Sequence, residues 1–162
     1  MSIPSHVTSH VTSRSETLEK KNWQPRVVAF LCNRCASIGD NPAGMSRLLS
    51  DNRIEVIRVP CSGRVDPIFL LKCFEKGADG VLVSACSPGA CHHALGNYHA
   101  RKRFAVFQKL LEFCGLDGRR IHFPWDLSDA GVQLPGLIDR VVSQVREAGP
   151  LPDIRSRGGN RS

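Results

Sequence analysis

The sequence predicts one α/β domain built on a four-stranded parallel sheet, and three observations carry that prediction. Four short β-branched or apolar runs recur along the chain. Each ends in a turn-rich stretch, and each stretch leads into a helical pattern. Parallel neighbours need crossover connections, crossovers are right-handed, and helices therefore cover both faces of the sheet. We expect a flavodoxin-like order with the first strand central.

The elements follow in chain order. Residues 1–24 hold a short echo, SHVTSHVTS, and almost no apolar periodicity. They offer too little apolar surface to offset the entropy of ordering, so a disordered tail is expected there. The first strand spans 26–31 (RVVAFL), with a helix over 43–50 after it. The second strand spans 54–60 (IEVIRVP) and precedes a helix over 67–76. Pro67 suits the first turn of that helix and Asp66 its N-cap. The third strand spans 80–85 (GVLVSA), and the helix over 97–114 repeats Phe104, Phe107, Leu111 and Cys114 at helical spacing. Gly77 and Gly115 fall where C-terminal glycines belong. A fourth strand at 121–124 (IHFP) and a helix over 134–147 complete the ordered domain, residues 25–148. Residues 149–162 read as a second, basic, disordered tail.

Composition narrows the function classes. The 162 residues suffice for one core and are too few for two comfortable ones. No apolar run nears the roughly 18–20 residues of a membrane span, and the N-terminus lacks the apolar stretch of a secretory signal. A cytoplasmic protein without a membrane span is expected. The formal net charge is +7, but the two tails hold three of those charges. The remainder forms no Lys/Arg stripe interleaved with aromatics, so nucleic acid is not an expected partner.

Seven cysteines in a cytoplasmic chain point to metal or redox chemistry rather than to a disulfide framework. Five of them obey a positional rule. Cys32 and Cys35 (C-N-R-C) follow the first strand, Cys61 follows the second, and Cys86 and Cys91 follow the third. All carboxyl ends of a parallel sheet lie at one edge, where open α/β sheets bind ligands. Topology therefore gathers thiols that are far apart in sequence. Cys73 and Cys114, on the apolar faces of two helices, read as core residues.

Convergent thiolates suit an iron–sulfur cluster, and the C-x4-C of Cys86 and Cys91 has the spacing of plant-type ferredoxin loops. Its Ser-Pro-Gly-Ala segment has the composition to turn amides toward sulfur. Zinc and thiol–disulfide chemistry stay open, since C-x2-C is common in zinc sites and Cys35 lies where a helix could lower its pKa. A small tyrosine phosphatase is excluded, because the required C-x5-R places Ile38 or Asn41 where arginine must stand. No Ser/His/Asp set, paired carboxylates or phosphate-binding loop suggests another catalysis.

Four segments carry a resemblance: CSGRVDP (61–67), GADGVLV (77–83), the C-x-P-G-x-C-H element (86–92) and GNYHARKR (96–103). Together they resemble the delta subunit of methyl-viologen-reducing hydrogenase, the hydrogenase iron–sulfur subunit, from about Val27 to Val145. The resemblance implies a [2Fe–2S] electron-transfer subunit with no substrate pocket of its own. It implies relay between a hydrogenase or formate dehydrogenase-type subunit and a heterodisulfide reductase A-like flavoprotein. Cys32, Cys35, Cys61, Cys86 and Cys91 match the family's five cysteines, of which four would ligate. The chain departs from the family's usual residues at Arg34, Ser87, Ala90 and His93, and in the segment ASIGDNPAG, all of which surround the cysteines. Arg64 and Asp66 read either as cluster neighbours or as an ion pair and cap. His92 is an alternative ligand, Arg101–Arg103 a basic face for an acidic partner, and Trp125 a cover over the site.

Overall fold

The computed structural model describes residues 23–34, 46, 52–124 and 134–151. Four parallel strands form one sheet: β1 (Val27–Cys32), β2 (Ile54–Val59), β3 (Gly80–Ser84) and β4 (Ile121–His122). Their order is β2-β1-β3-β4, so β1 is central and the flavodoxin-like order holds. All six β1 residues are buried. A central parallel strand is covered on both faces, which is why its sequence is an unbroken apolar run rather than an alternation.

Helices α1 (Pro67–Glu75) and α2 (Gly96–Phe113) cover one face, and α3 (Leu134–Ala148) covers the other. Val28, Phe30, Val81 and Val83 pack with Leu70, Phe74, Phe104 and Phe107 on the α1–α2 side. Val27, Ala29, Leu31 and Leu82 pack with Ile138, Val141, Val142 and Val145 on the α3 side. The period-2 alternation of strand side chains thus divides the core into two layers.

Local chemistry fixes the element ends. Asp66 caps α1 through a 2.9 Å bond from the Ile68 N–H to its Oδ1, and Pro67 opens the helix. Gly77 and Gly115 follow α1 and α2 with φ of +89° and +87°, the left-handed region that favours glycine. The fourth strand is shorter than its apolar run suggests, because only Ile121 and His122 pair with β3. Cys32 is the last residue of β1 rather than the first of the loop.

The amino-terminal edge of the sheet is fastened by two buried polar residues. Arg120 is 3% exposed and donates to the carbonyls of Asp79 (3.0 Å), Ala148 (3.1 Å) and Gly149 (2.8 Å). The Asp79 carboxylate accepts from the Arg26 and Leu151 amides at 2.9 and 3.2 Å. Residues 149–151, assigned from sequence to the second tail, are therefore held against the domain. Trp23, at the end of the expected first tail, packs partly buried against the α3-side core. Residues 1–22 and 152–162, and the helix expected over 43–50 apart from Ser46, lie outside the described residues.

Candidate metal centre

The carboxyl edge of the sheet gathers cysteines from three strands. Cys32 ends β1, Cys61 lies two residues past β2, and Cys86 lies two residues past β3; all three are buried. The Cys32 thiol donates to the Pro60 carbonyl at 3.7 Å, which ties the end of β1 to the loop that carries Cys61. Cys86 and Cys32 belong to the α3-side core, and half-buried Cys91 packs against it. Cys35 and Trp125 lie outside the described residues.

A turn and a strained residue position Cys91. In Ser87-Pro88-Gly89-Ala90 the Ala90 N–H donates to the Ser87 carbonyl at 3.0 Å, and Gly89 has φ of +78°. Proline second and a left-handed glycine third form the pattern of a type II turn. Ala94 then takes φ of +52°, a left-handed conformation that costs an alanine about 1–2 kcal/mol. Beyond it α2 begins at Gly96, and its N-cap residue, Leu95, makes no side-chain cap.

The Cys91 sulfur takes the capping role instead. Burial acts to raise its pKa, but the backbone N–H groups of His93, Asn97 and Gly96, with the Cys61 thiol, outweigh it and hold it below the ordinary thiol value. Cys61 moves the other way. Burial pushes its thiol up, and the neighbouring Cys91 and Cys32 sulfurs add to the rise. The Cys91 and Cys32 sulfurs thus disfavour a thiolate at Cys61, and a positive metal ion would offset that repulsion. The amides expected from the Ser-Pro-Gly-Ala turn are instead those at the start of α2.

Two glycines make this close approach possible. A Cβ on Gly96 would lie 2.6 Å from the Cys61 sulfur and 3.4 Å from that of Cys91. A Cβ on Gly63 would lie 2.8 Å from the Gly96 carbonyl oxygen. Asn97, 0% exposed, locks the third loop by donating to the Cys86 and Ser87 carbonyls at 3.0 and 2.9 Å. Arg103 reaches across to the Val65 carbonyl at 3.1 Å and holds the Cys61 loop against α2.

Among the described residues no three His, Cys, Asp or Glu side chains already stand as a metal-binding group. The donor chemistry nevertheless fits a thiophilic metal: buried Cys32, Cys61 and Cys86 and half-buried Cys91 share one edge, with a side-chain-free cradle at Gly96 between two of the sulfurs.

Several expectations change here. Cys114 is exposed rather than core, since α2 ends at Phe113, beyond the last buried position at Leu111. Cys73 is half-buried against the α1–α2 core, and burial raises its pKa. Of the basic trio, Arg103 is a clasp on the Cys61 loop. Asp66 is the α1 cap, and exposed Arg64 makes no ion pair with it among the described residues. His92 is exposed. Sequence reasoning missed Gly96, Asn97 and Arg103 as site residues. Asn97 did leave a signal, as a polar residue in phase with Ala100, Phe104, Phe107 and Leu111 on the buried stripe of α2.

Comparison with known proteins gives the chain its relatives. The chain is 35% identical over 130 residues to the vhc iron-sulfur subunit of an F420-non-reducing hydrogenase from Methanococcus voltae, covering 80% of this chain and 90% of that one. It is 35% identical over 131 residues to the iron-sulfur subunit of the F420-non-reducing hydrogenase of Archaeoglobus profundus, 81% of this chain and 96% of that one. It is 38% identical over 136 residues to the A-type subunit of a ferredoxin/F420H2-dependent CoB-CoM heterodisulfide reductase from Methanosarcina acetivorans, 84% of this chain but 17% of that longer one. The pattern that defines one family spans residues 27–149, nearly all of the described domain. The chain belongs to the methyl-viologen-reducing hydrogenase delta subunit family.

Proposed function

We propose that this chain is a cytoplasmic electron-transfer subunit that holds one [2Fe–2S] cluster on four of Cys32, Cys35, Cys61, Cys86 and Cys91. The observation that carries the reading is the convergence of buried thiols from three strand ends, with Cys61 and Cys91 packed about Gly96. When bound, such a cluster takes up and gives back one electron at a time.

The chain's own residues do the rest. The amides of His93, Gly96 and Asn97 favour the thiolate of Cys91, the form that a metal requires. Burial of Cys32, Cys61 and Cys86 excludes water from the ligands. Asn97 and Arg103 fix two of the three loops, so little rearrangement would accompany a change in charge. No helix among the described residues is long and apolar enough to cross a membrane.

The names of the relatives support the choice of partners. Some are hydrogenase subunits, and in others the matching segment is part of the A-type subunit of a heterodisulfide reductase. We propose relay between a hydrogenase or formate dehydrogenase-type subunit and a heterodisulfide reductase A-like flavoprotein.

Metal and acid-labile sulfide analysis of anaerobically purified protein tests the cluster. About two irons and two sulfides per chain are expected. Cys61→Ala and Cys86→Ala should each lose or convert the cluster. Stoichiometric zinc without sulfide would replace the electron relay with a zinc-stabilised interaction module. A redox activity that needs Cys32 and Cys35 but survives loss of Cys91 would favour a thiol–disulfide oxidoreductase.

A further inference from the structure

Two hydroxyls beside the cysteines have no partner among the described residues. Ser62 is 1% exposed and Ser84 is 0% exposed, and neither Oγ makes a hydrogen bond among the described residues. An unsatisfied buried hydroxyl carries its desolvation cost with no bond to offset it, whereas alanine would fill nearly the same space without a polar atom. A buried hydroxyl that the described residues leave unsatisfied points to an acceptor outside them.

Both positions belong to the cysteine edge. Ser62 follows Cys61 and opens a short 3-10 turn, Ser62–Arg64, whose N-cap residue is Cys61. Its carbonyl is used, accepting from the Val65 N–H at 3.1 Å, but the hydroxyl is one residue too late to cap the turn. Ser84 ends β3, two residues before Cys86. It pairs in register with Leu31, and laterally paired residues of parallel strands share a face. Leu31 faces the α3 side, where Cys32, Cys86 and Cys91 collect.

We infer that the Ser62 and Ser84 hydroxyls donate hydrogen bonds to sulfur of the cluster, whether ligand thiolate or bridging sulfide, an inference that rests on the cluster reading above. They are positioning residues and not ligands. A hydrogen bond to sulfur favours the more negative, reduced cluster, so each hydroxyl raises the reduction potential. Cluster sulfur would supply to both serines the acceptor that no group among the described residues does.

The test uses the full chain, purified anaerobically with its metal, as wild type, Ser62→Ala, Ser84→Ala and the hydroxyl-retaining Ser62→Thr and Ser84→Thr. Iron and sulfide content is measured first, then the midpoint potential. Exchangeable deuterons near the reduced cluster are then recorded by electron–nuclear double resonance. We expect a negative potential shift and loss of one deuteron coupling in each alanine variant, with the threonine variants near wild type. Should an alanine variant lose its iron, retention by the matching threonine variant supports the role, and loss from both overturns it for that residue. Intact clusters with unchanged potentials and deuteron couplings in both alanine variants overturn the inference and leave the cluster reading standing. Wild type without iron and sulfide overturns both.

Discussion

Gly96 is the residue on which the close approach of Cys61 and Cys91 depends. Its φ is not in the left-handed region, so its requirement is for space and not for an unusual backbone. A methyl group there would meet the Cys61 sulfur at 2.6 Å and force either that loop or α2 to move. Overpacking of this kind costs about 1–3 kcal/mol. Gly96→Ala should therefore keep its far-UV circular dichroism but lose most of its iron on anaerobic purification. Full iron content in that variant would mean that the two sulfurs need not be close. The polar residues near the site divide by the same test of contact. Asn97 and Arg103 hold loops through carbonyls, whereas Asp66 completes a helix end.

At the scale of the element, α2 organises the edge. Its first turn presents amides to the Cys91 sulfur, its Asn97 holds the Cys86 loop, and its Arg103 holds the Cys61 loop. The helix that was legible as an amphipathic core element is thus also the frame of the site. Two substitutions separate a framing role from ordinary helix capping. Asn97→Ala removes a buried amide and strands two carbonyls, and should destabilise the protein by about 1–3 kcal/mol. Asp66→Ala removes an exposed N-cap of α1 and should cost about 1 kcal/mol. Denaturant unfolding measures both, and Asn97→Ala alone should also lower iron content. Equal iron loss in the two variants would remove the distinction.

The whole molecule has two ends with different work. The carboxyl edge carries the thiols. The amino edge carries the Arg120–Asp79 latch, which joins the start of β3 to the end of α3. His122 sits beside that latch on β4, with its ring Nε2 2.7 Å from the Arg119 carbonyl. Burial lowers its pKa below 6.5, outweighing the opposing contact with that carbonyl. The folded chain therefore resists a proton that the unfolded chain accepts. Stability from this residue is fully present above about pH 6.5 and declines as pH falls through that value. The loss of stability between pH 7.5 and 5.5 should be smaller in His122→Gln than in wild type when denaturation midpoints are compared. An identical pH dependence would show that His122 titrates alike in both states.

Strand positions, the central place of β1 and the two-layer core were all legible in sequence, because each rests on a local signal. Unbroken apolar runs mark buried parallel strands, and a 3.6-residue period marks the helices that cover them. From those alone it followed that Cys32, Cys61, Cys86 and Cys91 share one edge, since parallel strands all end on the same side. Cys114 misled because periodicity continues in a sequence after the helix it describes has stopped. What only the tertiary structure decided is contact within the edge: that Cys91 joins Cys61 across Gly96, that Arg103 turns inward to a loop, and that Ser62 and Ser84 are buried without a partner among the described residues. Such contacts depend on how closely two backbones meet at Gly63 and Gly96. That distance is set by packing over the whole sheet, and no run of neighbouring residues encodes it.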